Sequence, residues 1–277
     1  LHREWFYDAL HNSSDRGSDA DVISVSVVIP TYNRKETLAR AIASVQAQDY
    51  AVSEIIIVDD GSTDGSADLP ILADERITYL VNAQNLGSQA SRNRGIRQAT
   101  GDVLAFLDSD DYWRPDKIDL QLQAAQDAGL TDKFCVTCGH EQFGDNGGSR
   151  FLPPALINLE TVLVHNLIGP TSNILISRAL LDDVGHFDAS MPSCQDWELF
   201  IRILEQTPII GVPEILTYQD TDSNVRISRN RKKVTAGHQA LFRKTRTMKD
   251  FMSLSLSKRW AIRARQEIAL LRRSVPI

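Results

Sequence analysis

The 277-residue chain has little cysteine, no long apolar run and no glycine-rich loop after its first strand-like segment, and each absence excludes something. Three cysteines cannot build a disulfide framework, so a reducing, cytoplasmic setting is the expectation. No stretch of about 18 apolar residues occurs, which excludes a transmembrane helix. The first 22 residues are polar apart from Trp5, Phe6 and Tyr7 and do not read as a signal peptide, while a start at Leu1 instead of Met leaves room for an upstream segment. PTYNRKETL, which follows the first strand, lacks glycine. That argues against a dinucleotide-binding GxGxxG turn and against the Gly-rich loop of a nucleotidyltransferase.

What is present is ordinary for a soluble globular protein: 42% hydrophobic and 24% charged residues. The net charge of −6 hides an asymmetry. Residues 226–277 hold 15 of the 30 Lys and Arg against only Asp250 and Glu267, a local charge of +13, and the remainder carries −19. An acidic body with a basic tail points to two surfaces with different partners.

Val25–Ile29, Ile55–Val58, Ile77–Val81 and Val103–Leu107 read as short buried strands. Leu38, Ala41, Ile42 and Val45 share one face of an intervening helix, and Asn33 with Glu36 resembles a capping box at its start. Further helices are expected over 90–99 and from Pro115 to Ala128. Strand–helix alternation predicts an α/β domain with a mostly parallel sheet, whose ligands bind beyond the carboxyl ends of the strands. Cys135 and Cys138 form a lone CxxC in a strand-like segment, where positions i and i+3 face opposite ways, so buried thiols are expected and not a metal site.

Polar clusters follow three of the strands: Pro30-Thr31-Tyr32-Asn33, Asp59-Asp60-Gly61-Ser62-Thr63-Asp64 and Asp108-Ser109-Asp110-Asp111. Singly, each reads as turn chemistry. Together they bring five carboxylates, those of Asp59, Asp60, Asp108, Asp110 and Asp111, to one rim if the strands are neighbours. Two unit charges about 5 Å apart repel by roughly 3 kcal/mol at an effective dielectric near 20, so some must be protonated or a cation must sit among them. A Mn²⁺ or Mg²⁺ ion held by carboxylates and bridging to a diphosphate fits that chemistry.

VSVVIPTYNR, EIIIVDDGSTD, NLGSQASRNRGIRQATGDVLAFLDSDDYWRPDK and GHFDASMPSCQDWELFIRI together resemble family 2 inverting glycosyltransferases of GT-A fold, over about Ser24 to Leu204. The resemblance implies a nucleotide-sugar donor, UDP-linked, a saccharide or lipid-linked acceptor, and Mn²⁺ or Mg²⁺. It implies that Tyr32 stacks on the base, that Asp60 accepts a hydrogen bond from it, and that Pro30, Thr31 and Asp59 line the same pocket. Arg92, in preference to Arg94, faces the nucleotide. Asp108 and Asp110 match the DxD motif: Asp108 reaches the ribose or metal, Asp110 binds the metal, and Asp111 shares that task. Asp196 falls at the catalytic base, with Gln195 and Trp197 on the acceptor side. As an opening residue of a helix, Asp196 is also a natural cap, and the helix dipole is expected to lower its pKa.

The chain departs from the family pattern at two places. Gln195 stands where Glu is common, and Tyr218-Gln219-Asp220-Thr221-Asp222 lacks a following His, which leaves Arg226 as a candidate for the diphosphate. The domain reading is a polar segment 1–22, a GT-A domain 23–222 (nucleotide part about 23–115, acceptor part about 116–222) and a basic helical extension 223–277. That extension either lies on an anionic membrane, placing the protein at its inner face, or shields the acidic body. It carries no recognisable nucleic-acid motif. A non-catalytic scaffold of the same fold is the alternative function.

Overall fold

The structure, a computed structural model, describes residues 23–144, 148–221 and 231–274. The first half runs β1 (Val25–Thr31), α1 (Lys35–Gln46), β2 (Glu54–Asp59), β3 (Ile77–Val81), α2 (Ser88–Gln98), β4 (Val103–Phe106), β5 (Asp111–Trp113) and α3 (Lys117–Asp127). The second half continues with β6 (Cys135–Phe143), β7 (Ser149–Phe151), β8 (Leu156–Ile157), α4 (Leu159–Val162), β9 (Leu175–Ser177), α5 (Arg178–Val184), α6 (Gln195–Leu204) and β10 (Ile209–Asp220). Three helices follow: α7 (Arg231–Thr245), α8 (Lys249–Ser253) and α9 (Leu256–Ser274).

One sheet holds the strands in the order β3-β2-β1-β4-β9-β6-β10-β5, with β7 on β6 and β8 on β10. The β3-β2-β1-β4 half is parallel, as strand–helix alternation predicts. Beyond it the sheet is mixed: β9 runs antiparallel to β4 and β6, β10 runs parallel to β6, and β5 runs antiparallel to β10.

Alternation along the strands builds two cores. Val28, Ile56, Val58, Leu104 and Phe106 face one layer, and Val27, Ile29, Ile55, Ile57 and Ala105 the other. Each such side chain contributes on the order of 2 kcal/mol when fully buried, so a one-residue register slip would forfeit the set. Cys135 and Cys138 fall in opposite cores and both are free thiols, as the strand reading requires. In α1 the buried residues are Leu38, Ala41, Ile42 and Val45. The capping box does not form. Asn33 is at φ +51°, and its Oδ1 accepts from the Thr63 N–H at 2.8 Å, tying the first strand-end loop to the second. Helix α2 lies tight on β1, because a Cβ at Gly95 would meet Val28 Cγ1 at 2.3 Å.

The basic extension packs on the body. Leu241, Phe242, Phe251 and Ile262 are buried in the first core. Lys244 Nζ reaches Asp188 at 3.1 Å and the buried Glu198 at 2.5 Å. Shielding of the acidic body is therefore real for α7. Among the described residues no helix is long and apolar enough to cross a membrane.

Candidate active site

The carboxyl ends of β1, β2 and β4 open onto a cleft of about 880 Å³, closed on the far side by the start of α6 and the first turns of α7. Pro30, Thr31, Tyr32, Asp60, Arg92, Asp108, Asp110, Asp111, Gln195, Asp196 and Trp197 all line it. Tyr32 is 43% exposed, so it is not a core aromatic.

Asp59 is the exception. Successive strand residues face opposite ways, and Asp59 turns to the layer behind, where its carboxylate accepts from Tyr79 Oη and the Ser62 N–H, both at 2.8 Å. Its place is structural support for the turn and not the pocket wall. Asp60 faces forward and accepts from the N–H groups of Leu86 (2.9 Å) and Gly87 (2.7 Å) and from Asn82 Nδ2 (2.8 Å). A carboxylate offers about four acceptor sites, so Asp60 fixes the loop ahead of α2 and retains capacity toward the cleft.

The acidic cluster meets its counter-charges in arginines. Arg92 pairs with Asp108, and Arg34 Nη2 lies 3.6 Å from Asp110. Arg40 donates to the Asp110 carbonyl at 3.0 Å and to Asp220 at 3.1 Å. The 108–111 segment is a turn and not an extended chain, closed by the Asp111 N–H on the Asp108 carbonyl. Asp111 is buried and accepts from Ser172 Oγ (2.7 Å) and Gln219 Nε2 (3.1 Å). Burial, with Asp108 and Asp110 nearby, pushes its carboxyl well above the ordinary range. Ser172 Oγ also accepts from the Asp108 N–H at 3.1 Å, so Asp111 braces the 108–111 turn through Ser172.

Among the described residues no group of three or more His, Cys, Asp or Glu is placed to hold a metal. Asp108 and Asp110 both line the cleft, each beside an arginine, and two carboxylates suit an ion whose remaining ligands are diphosphate oxygens.

Asp196 is the second residue of α6, and Cys194, at φ +61°, is the N-cap. Burial raises the Asp196 carboxyl, with Trp197 N–H and Arg92 opposing and Asp108 adding. The dipole-driven lowering expected from sequence is thus outweighed by desolvation. Gln195 Nε2 donates to the Met191 carbonyl at 2.9 Å and Trp197 Nε1 to the Val162 carbonyl at 2.7 Å, so both neighbours of Asp196 are held by backbone.

Among the described residues, the Nε of the cleft-lining Arg92 is buried without a hydrogen-bond partner. An unpaired buried polar group costs about 1–3 kcal/mol, and such atoms mark places where another molecule supplies the partner. Arg94, by contrast, donates to the Val81 carbonyl at 2.7 Å and to Asn82 Oδ1 at 2.6 Å, tying α2 to β3.

The sequence reading does not single out Arg34, His140, Gln142, Lys233 or the cleft position of His238, nor Ser172 behind the acidic turn. Arg34 belongs to the same TYNR run as Tyr32 and was within reach. Lys233 and His238 arrive from α7, some 40 residues beyond Asp196, and only the fold brings them in. Arg226 lies outside the described residues.

The description Glycosyl transferase family 2 matches residues 26–185, and Glycosyltransferase like family 2 matches residues 144–268. The chain is 32% identical over 187 residues to WcaA of Escherichia coli K12, named for colanic acid biosynthesis, covering 65% of this chain and 66% of that one. It is 29% identical over 191 residues to WfgD of Escherichia coli, a UDP-Glc:alpha-D-GlcNAc-diphosphoundecaprenol beta-1,3-glucosyltransferase, covering 68% and 72%. A Nostoc glycosyltransferase, alr2836, is 34% identical over 177 residues, and the match spans only 54% of its length. In structure the chain resembles S. aureus TarS 1-349 in complex with UDP-GlcNAc, with a TM-score of 0.70 at 17% identity over 91% of this chain and 72% of that one. It also resembles the mannosyltransferase PcManGT from Pyrobaculum calidifontis with GDP-Man and Mn²⁺, with a TM-score of 0.63 at 17% identity over 97% and 78%. The fold is the GT-A fold.

Proposed function

The chain belongs to glycosyl transferase family 2, and from that premise we propose that its cleft moves a sugar from a UDP-linked donor to a hydroxyl of a saccharide or lipid-linked acceptor, with inversion, in the synthesis of a surface polysaccharide or glycoconjugate. The observation that carries this reading is the pairing of two unlike walls. The strand-end wall presents Tyr32, Asp60, Arg92 and Asp108, with Arg92 Nε lacking a partner among the described residues, and the α6 wall presents Asp196 with its carboxyl raised by burial.

The roles follow from chemistry. Tyr32 offers an aromatic face and Asp60 an acceptor, which together suit uracil. Arg92 supplies a fixed cation beside Asp108 for the diphosphate. Asp196 takes the proton of the acceptor hydroxyl as that oxygen bonds to the anomeric carbon from the face opposite the leaving group. The bond between that carbon and the β-phosphate oxygen breaks, and the nucleoside diphosphate leaves with the electron pair. One base suffices for a single displacement with inversion, and its raised pKa matches it better to neutral pH. Asp108 and Asp110 would hold Mn²⁺ or Mg²⁺, which when bound neutralises charge on the departing diphosphate.

UDP appears in the names of WfgD and of the TarS complex, which supports the base, while the GDP-Man complex keeps guanine in the test. Calorimetric titration of UDP with and without Mn²⁺, on wild type and Asp110→Ala, tests the donor site. Metal-dependent binding lost in the variant is expected. Absence of binding for UDP, GDP and dTDP alike would move the protein to the non-catalytic scaffold reading.

A further inference from the structure

Helix α9 has two apolar faces, and only one of them is used. Ile262 and Gln266 are buried toward the body, where Gln266 Nε2 donates to the Leu163 carbonyl at 2.9 Å. On the other side Leu256 is 78%, Trp260 74% and Ile268 49% exposed. With Ala264 these residues follow a four-residue spacing, which on a helix forms one continuous ridge. The inner face fills the body's core, which leaves the outer ridge to solvent.

A single exposed apolar residue is ordinary, but a ridge with a large aromatic at its centre marks an interaction surface. Charge narrows the partner. The helix spans six Lys or Arg, at positions 258, 259, 263, 265, 272 and 273, against one acid, Glu267. Glu267 is matched by Arg246 and Lys258 by Glu160, both at 2.7 Å, so Arg263 and Arg265 are the cations that flank the ridge. The body on which α9 sits is acidic, so the positive field belongs to this helix. An apolar ridge carrying tryptophan and bordered by Lys and Arg is the pattern of a helix lying in the headgroup plane of an anionic bilayer. It is too charged to span. A nucleic acid would use the cations but has no use for the ridge.

We propose that the outward ridge of α9, centred on Trp260, seats the protein on an anionic lipid surface. Because α9 packs on α7 and α7 walls the cleft, seating fixes the distance of the cleft from the lipid headgroups. The inference rests on this surface alone and is read by binding, so it stands or falls independently of the donor and the transfer chemistry.

The test is flotation of the full chain with vesicles of phosphatidylcholine and phosphatidylglycerol against vesicles of phosphatidylcholine alone. Wild type is expected to float with the anionic vesicles and not with the neutral ones. Trp260→Ser with Ile268→Ser removes apolar contact without touching charge and is expected to weaken partitioning by about tenfold. Arg265→Gln is expected to weaken it by about fivefold. All three substitutions are at exposed positions, and an unchanged melting temperature confirms the fold. In a Trp5→Phe background, Trp260→Phe should keep binding while removing the blue shift of fluorescence on vesicle addition, because Trp113 and Trp197 are already buried. Three results would overturn the proposal: no flotation on anionic vesicles, equal flotation of the Trp260→Ser, Ile268→Ser variant, or a fall in oligomeric mass in that variant, which would give the ridge to a second copy.

Discussion

Arg92 holds its guanidinium against the carboxylate of Asp108 while lying 5.6 Å over the ring of Phe187. The aromatic fixes the cation from beneath, so its charge is in place before any ligand arrives. Among the described residues its Nε has no hydrogen-bond partner.

Loss of that cation should show in donor binding. Charge-assisted hydrogen bonds are worth about 1.5–3 kcal/mol, so Arg92→Met is expected to weaken UDP binding by roughly tenfold to a hundredfold in calorimetry. Arg94→Met, at a position turned to β3, should leave UDP affinity near wild type.

Gly237 separates helix propensity from packing. In an isolated helix, Gly to Ala is worth about 1 kcal/mol of stabilisation. Here a Cβ would fall 1.9 Å from Ser193 Oγ and 2.8 Å from the Ser193 carbonyl, and backbone cannot yield cheaply. Gly237→Ala is expected to lower the melting temperature and to reduce transfer, because it lifts α7 from the loop that carries Cys194 into Asp196. A raised melting temperature would contradict the docking described.

The strand-end wall was legible in the sequence because β-period alternation and turn residues lie next to one another in the chain. Tyr32, Asp60 and Asp108 could be placed from their positions after apolar runs. The same alternation explains the misplacement of Asp59, one residue before Asp60 and therefore on the other face. The α6 wall was legible only through family resemblance, since Asp196 alone looks like a helix-opening carboxylate. Its pKa direction was not legible at all: desolvation depends on what packs around it, including α7 from far along the chain. The acidic rim, which from sequence calls for a metal or protons, meets the arginines at 34, 40 and 92, and only the fold brings those side chains to it.

Lys117 is fully buried, with Nζ donating to Gln121 Oε1 at 2.6 Å and lying 4.2 Å over the Trp113 ring. Burial lowers its pKa to about 8. Between that value and the ordinary value near 10.4 the folded chain binds fewer protons than the unfolded one, so stability rises with pH in that window. Relative to Lys117→Met, wild type is expected to gain up to about 3 kcal/mol between pH 8 and 10 and to show no pH-dependent difference below. Paired denaturant titrations at several pH values check this.

Asp196 must be ionised to accept a proton. Because burial raises its carboxyl, the acidic limb of the transfer rate against pH should lie above the ordinary Asp value of about 3.9. Rate profiles at saturating donor, with UDP affinity followed in parallel, separate this limb from loss of donor binding.

The most direct test of the central claim is the transfer rate of Asp196→Asn at saturating donor and acceptor. The amide keeps the shape and removes the base, so the rate should fall by about 10²–10⁴-fold while UDP binding stays near wild type. A variant that retained over half of wild-type transfer would contradict the assignment of Asp196 as the base.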